Sequence, residues 1–196
     1  MLPYELVASS SKLFKDDYLN LIKETKVCFH EDTIDTGVIY FQNGALLIKK
    51  EHFELIDYFN LDGFVWKDQI IKRNFKKVNF NNCVYAKFIN LVAGNDDSKI
   101  ESIKSVIGYL LHSFKTSSNN KAIIINDETI SDNPNGGSGK GIFWNALKQM
   151  KNIVDIDGKQ FDFNKSFIFQ RVNADTQVLV FDDVKKNFEF EFLFSL

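Results

Sequence analysis

The stretch "NPNGGSGKGIFWNAL", residues 133–147, decides how the second half of this chain is read. Gly136, Gly137 and Gly139 permit backbone conformations in which consecutive N–H groups face one concavity, and glycines let that backbone approach an anion closely. Lys140 then places a positive charge at the start of a helix, which Ile142, Phe143, Ala146, Leu147 and Met150 mark by their spacing. Amide donors, a helix N-terminus and one lysine are what a polyphosphate needs, so Gly136, Gly137, Ser138, Gly139, Lys140 and Gly141 form the candidate cradle. Two positions depart from the usual pattern. Pro134 stands where the first glycine is normal, and Gly141 stands where a Ser or Thr hydroxyl normally holds Mg²⁺. Ser138 lies on the wrong side of Lys140 to replace that hydroxyl, and "NDETISDN" makes an unusually long approach to the loop. A glycine-rich surface turn before an amphipathic helix would carry the same letters.

A second element bears on that choice. In "TQVLVFDDV", residues 176–184, an apolar run ends in Asp182 and Asp183. Carboxylates at the carboxyl end of a buried parallel strand sit where ligands bind in open α/β sheets, which suits a Walker B element. Asp182 would hold Mg²⁺ through water, and Asp183 would orient or deprotonate an attacking water. "KAIIIN" (121–126) is a short continuous apolar run that predicts a strand buried on both faces, and "NIVDIDG" (152–158) predicts another. Strand, loop, helix, strand, strand is the start of a parallel α/β sheet.

With those residues in place, the chain resembles the superfamily 3-like P-loop ATPase of phage and mobile-element primase–helicases. The resemblance rests on "IGYLLHSFK", "KAIIINDE", "NPNGGSGKG", "IDGKQFDF" and "TQVLVFDDVKKNFEFE", with "YFQNG" and "VWKDQIIKRNF" upstream. It covers residues 36–196 and is strongest from residue 105 onward. It implies an ATP- and Mg²⁺-dependent replicative DNA helicase that works on single-stranded or forked DNA as a homo-oligomeric, hexameric ring. That places it in the cytoplasm of a bacterial host. Carried over by position, Lys140 would hold the phosphates, Asp182 would coordinate Mg²⁺, and Asp183 would be the catalytic base. A glycine after the lysine occurs in that group, so Gly141 does not exclude a working site. The resemblance departs at the end: "EFEFLFSL" follows the second motif with no sensor strand, and the one arginine of this half, Arg171, precedes it. The expectation is therefore the N-terminal part of a helicase, truncated after the second motif, that binds nucleotide weakly and does not unwind DNA as an isolated chain.

The first half reads differently. Asn43-Gly44 separates the runs "VIYFQ" and "ALLIKK" and predicts a hairpin, because both turn residues tolerate positive φ. Residues 10–24 space Leu13, Phe14, Tyr18, Leu21 and Ile22 as a helix. "NNCVYAKFINLVAG" predicts a helix closed by Gly94. Ser98 with Glu101 reads as a capping box for a helix whose face is Ile100, Ile103, Ile107, Leu110 and Phe114. The polar "KTSSNN" connector predicts a boundary. The fold expected is an α+β N-terminal module and helical region (1–118), then the start of an α/β P-loop domain with an incomplete parallel sheet (119–196). The alternating "FEFEFLF" of the tail fits either a strand or an exposed tail.

Composition narrows the field. A net charge of −2 over 196 residues gives no global attraction to nucleic acid or membrane, so such contacts need a local patch. Cys28 and Cys83 lack metal-like spacing and suit a reducing compartment, and the N-terminus has no apolar stretch for a signal peptide or span. "NKSF" puts Phe167 where a GTPase has its base-reading Asp, and two arginines are too few for the lid of a small-molecule kinase. Lys67, Lys72, Arg73, Lys76 and Lys77 around Trp66 and Phe75 suit single-stranded nucleic acid, or else a solvated face over an aromatic core. His30, His52 and His112 are isolated, and Asp127 and Glu128 read as loop carboxylates that could also help a metal. The rival function is a non-enzymatic remnant or accessory protein of a mobile element that binds DNA or a partner through the first half.

Overall fold

The computed structural model describes residues 26–79, 83–127, 137, 139–161, 169–188 and 190–195. They form a mixed α and β structure with a three-stranded antiparallel sheet and a two-stranded parallel one. The helix expected over 10–24 lies outside the described residues, as do Pro134, Gly136, Ser138, Glu128 and Phe167.

β1 (Thr36–Phe41), β2 (Gly44–Lys49) and β3 (Phe53–Ile56) run in order, each antiparallel to the next. The hairpin is where it was expected, displaced by one residue: Phe41 pairs with Gly44, so Gln42 and Asn43 make the turn and Gly44 opens β2. Gly44 has φ +143°, and a Cβ there would lie 2.4 Å from the Ile56 carbonyl oxygen, so close strand approach rather than turn geometry demands glycine. Alternation divides β1 between two cores. Val38 and Tyr40 pack with Ala45, Leu47 and Ile56, while Ile39 and Phe41 pack with Leu46, Ile71 and Phe75. Met150, from the second half, joins that second cluster.

α1 (Val84–Val92) and α2 (Asp97–Leu111) pack with α3 (Lys140–Leu147) around Ile89, Phe143 and Leu147. Gly94, at φ +65°, closes α1 as its sequence predicts. The cap of α2 is Asp96, whose carboxylate accepts from the N–H groups of Ser98 and Lys99. No Ser98–Glu101 box forms, because the Asp96 carboxylate takes the Ser98 N–H that Glu101 would accept from, and Glu101 pairs with Lys104 instead. Ile103, Ile107 and Leu110 face the cluster as expected, but α2 ends at Leu111, leaving Phe114 beyond it. Met150 likewise lies beyond α3.

β4 (Ile153–Asp157) and β5 (Val178–Asp182) are parallel, in register from Ile153 opposite Val178 to Asp157 opposite Asp182. Residues 121–127 form no strand: Ile124 is 65% exposed, and Ile125 alone of the isoleucine run packs on the helical cluster. An apolar run becomes a strand only by finding a ladder partner, and this one finds none among the described residues. The tail is neither strand nor extended, since Phe190–Ser195 is a 3₁₀ turn. Phe188 packs its ring, tilted, against Phe161 and Phe181, and Phe190 meets Phe188 edge-on, with ring centroids 4.9–5.5 Å apart along the chain of contacts.

Candidate functional site

Lys140 is the first residue of α3. Its N-cap, Gly139, has φ +89°, and a Cβ there would stand 3.0 Å from the Phe88 ring. The helix start is thus pressed against α1, and the glycine serves both the left-handed turn and that approach. Gly137 also has positive φ, 100°, with open space where its Cβ would be. Gly141 sits within the helix, exposed, and a Cβ there would meet nothing within 4 Å. Packing therefore does not require glycine at 141, and a hydroxyl side chain would fit there.

The Lys140 Nζ donates to both carboxylate oxygens of Asp127, each at 2.7 Å. Both side chains are about a third exposed, so the pair contributes little to stability, about 1 kcal/mol at most. Its interest is geometric. Asp127 comes from the segment that leads into the glycine loop, and it holds the lysine at the helix N-terminus with a two-oxygen anionic group.

At the carboxyl ends of the parallel strands, Asp157, Asp182 and Asp183 come together. The turn after β4 passes directly against the exit of β5: the Gly158 N–H donates to the Asp182 carbonyl at 2.6 Å, and a Cβ on Gly158 would lie 2.7 Å from Asp182 O and from Val184 Cα. Asp183 adopts φ +56°, unusual for a residue with a side chain, which turns the chain sharply out of the sheet. Its Oδ2 accepts from Lys159 Nζ at 2.7 Å, and that hydrogen bond, reinforced by the charges of Asp183, Asp157 and Asp182, raises the Lys159 pKa. Asp182 and Asp183 are both exposed. The structure thus gathers the predicted residues into two groups, Lys140 with Asp127 and Asp182–Asp183 with Asp157 and Lys159.

The fit to Mg²⁺ is one of donor type: hard cations of this size take oxygen ligands, usually one or two carboxylates plus phosphate oxygens. Asp182 and Asp183 supply carboxylate oxygens, and a third carboxylate lies opposite in Asp157. Among the described residues no group of three or more His, Cys, Asp or Glu could hold a metal ion.

A buried polar junction elsewhere carries no recognisable motif. Asp32, 7% exposed, accepts from Val38 N at 2.9 Å and from Ser113 N at 2.7 Å. Lys151, 6% exposed, donates to Ser113 Oγ at 3.1 Å. Burial lowers the Lys151 pKa, Asp32 opposes that shift, and Lys115 adds to it. His112 is a satisfied histidine, its Nε2 2.8 Å from the Thr33 carbonyl. The segment before β1, the end of α2 and the end of α3 meet here, and the packing is close: a Cβ on Gly37 would stand 3.1 Å from the His112 ring.

The basic, aromatic stretch around residue 70 is divided by the fold. Phe75 belongs to a core cluster, and Arg73 donates to the Gln149 carbonyl at 3.0 Å. Trp66 stacks on Phe29 at 4.5 Å, both partly exposed. Among the described residues no helix is long and apolar enough to cross a membrane. No protein-family model, curated protein or solved structure matches the chain.

Proposed function

We propose that Lys140, the glycines before it and the Asp182–Asp183 pair form an ATP–Mg²⁺ site of the P-loop kind, in a chain that belongs to a DNA helicase of the primase–helicase type. The observation that carries this reading is the Lys140–Asp127 contact. A lysine at the first residue of a helix, behind a left-handed glycine, already holds a two-oxygen anion at 2.7 Å. A phosphate brings the same acceptor geometry and more charge, and the helix N-terminus favours it further. The parallel pair that ends in Asp182 and Asp183 is the second support, since ligand crevices in parallel sheets lie at the carboxyl ends of strands. In this reading Lys140 neutralises the terminal phosphates, Asp182 holds the magnesium shell, and Asp183 orients the attacking water once Lys159 releases it. Magnesium would supply charge neutralisation across the phosphates.

Titration of a fluorescent ATP analogue with Mg²⁺ tests the site. Wild-type chain should bind, Lys140→Ala should bind at least tenfold more weakly, and Gly141→Ser should bind more tightly by restoring the metal-side hydroxyl. Equal binding by wild type and Lys140→Ala sinks the proposal. A second reading, a binding module without catalysis, has two observations in its favour: Gly139 packs on Phe88 and Lys140 pairs with Asp127, contacts that a purely structural loop would also make. A folded wild-type chain that ignores ATP while binding DNA would select it.

A further inference from the structure

Among the described residues, the face of the antiparallel sheet that holds Ile39, Phe41 and Leu46 is only half covered. Ile71, Phe75 and Met150 lie over those three. The same face continues through Ile48, Phe53 and Leu55, because Leu55 pairs with Leu46 and Phe53 with Ile48. These three are 38%, 46% and 39% exposed. The Phe53 ring is fixed edge-on against Phe75 at 6.0 Å, and Lys77 Nζ stands 5.2 Å from its centroid. The segment that carries Lys76 and Lys77 is itself held: Asn43 accepts from the Phe75 N–H at 2.7 Å and donates to the Phe75 carbonyl at 3.1 Å. Lys49, Lys50, Lys76 and Lys77 are all exposed, and none forms an ion pair among the described residues. Glu54, the acidic residue of β3, pairs with Leu47 and so alternates to the opposite face.

We propose that this half-covered face binds single-stranded nucleic acid, with a base stacked at Phe53 and phosphates held by Lys76 and Lys77. An aromatic on an apolar platform beside lysines without ion-pair partners is the chemistry that recognises bases and backbone without reading sequence. Lysines around the patch argue against a protein partner, because protein interfaces are depleted of lysine. The stretch 66–77 therefore divides its labour: Phe75 positions Phe53, and Lys76 and Lys77 supply the charge. The face lies on the antiparallel sheet and does not depend on the nucleotide reading of Lys140.

Fluorescence anisotropy of a labelled oligodeoxythymidine against the whole chain tests this. Phe53→Ala should weaken binding about tenfold or more, Phe53→Trp should retain it, and Lys76→Gln with Lys77→Gln should weaken it and flatten the salt dependence by about two phosphate contacts. Lys140→Ala should leave oligonucleotide binding unchanged, so a failed nucleotide site and a failed sheet face give different results. Circular dichroism shows whether Phe53→Ala folds, and the lysine variants decide if it does not. Three outcomes overturn the proposal: no oligonucleotide binding, binding indifferent to both Phe53→Ala and the lysine pair, or loss of binding in Lys140→Ala. Concentration-dependent self-association that Phe53→Ala abolishes, without oligonucleotide binding, would instead make the face a contact between copies.

Discussion

The two sheets of this molecule are built on opposite terms. The antiparallel sheet closes over 21 consecutive residues, Thr36–Ile56, through turns of a few residues, and β1 is buried on both faces. The parallel pair joins strands that begin 25 residues apart, Ile153 and Val178, and only Val154 and Val180 on it are buried. A parallel pair cannot be joined by a tight turn, so it depends on what the crossover and the flanking helices bring to it. Here that is the Phe143–Leu147 edge of α3 packed near Ile153, and the aromatic group of Phe161, Phe181 and Phe188. The difference shows in what each sheet leaves exposed. The antiparallel sheet is assembled from neighbouring residues, while the parallel pair ends in exposed carboxylates beside a turn at positive φ.

A matched pair of glycine substitutions separates the two sheets most sharply. Gly44→Ala puts a Cβ 2.4 Å from the Ile56 carbonyl at φ +143° and is expected to destabilise by about 3 kcal/mol or more. Gly158→Ala puts one 2.7 Å from Asp182 O and Val184 Cα, at a cost of about 2–3 kcal/mol. The two tryptophans report the regions separately: Trp66 stacks on Phe29 and adjoins Val65, which packs on the antiparallel sheet, and Trp144 lies in the helical cluster beside the parallel pair. In urea titrations of single-tryptophan chains, Gly44→Ala should shift the Trp66 midpoint more than the Trp144 midpoint, and Gly158→Ala the reverse. Equal shifts at both reporters would mean that the sheets unfold as one unit and that the contrast has no energetic content.

Part of the coupling between the regions should run through Asp32. Asp32→Ala strands the buried N–H of Val38 and the N–H of Ser113, and removes the negative charge that acts on Lys151, an expected loss of about 2 kcal/mol. Its signature is separation of the Trp66 and Trp144 transitions, beyond a common shift. Asp32→Asn keeps one acceptor and should recover part of the coupling. Coincident transitions in Asp32→Ala would show that Met150 and Arg73, which also bridge the halves, suffice.

The same contrast explains what the sequence makes legible. The hairpin can be read because β-branched and aromatic runs meet across a two-residue turn, and its position is wrong by one residue only because Gly44 is needed for strand approach. The two parallel strands can be read from their apolar runs, and Lys140 and Asp182–Asp183 fall at the element ends that the motifs predict. "KAIIIN" looks equally strand-like yet has no ladder among the described residues, since a run of isoleucines states a preference and not a partner. The Asp32 junction joins residues 81 positions apart, Asp32 and Ser113, with no spacing rule to announce it. Nor does any pattern in "DDV" reveal that Lys159 takes Asp183, because that pairing is made by the turn after β4.

The smallest effect expected is a pH dependence. Burial is the first cause of the lowered Lys151 pKa, so the fold disfavours its charged form despite Asp32. Between that lowered folded value and the unfolded value of 10.5, the unfolded chain binds more protons, and stability contributed by this residue rises with pH. Tyr40 works in the opposite sense. Its pKa is raised above the ordinary 10.0 by burial first, then by the charge of Asp32 and by Tyr58, so its contribution is full below pH 10 and is lost as pH rises above it. The two must be separated by difference. Lys151→Met removes only the first, so its stability advantage or deficit relative to wild type should move in favour of wild type as pH climbs towards 10.5. Chemical denaturation of both chains across that range measures it. A difference that stays flat would mean that Lys151 keeps its charge in the fold, held by Asp32 more firmly than burial opposes it, and would make the junction an ion pair in effect and not a buried, readily discharged amine.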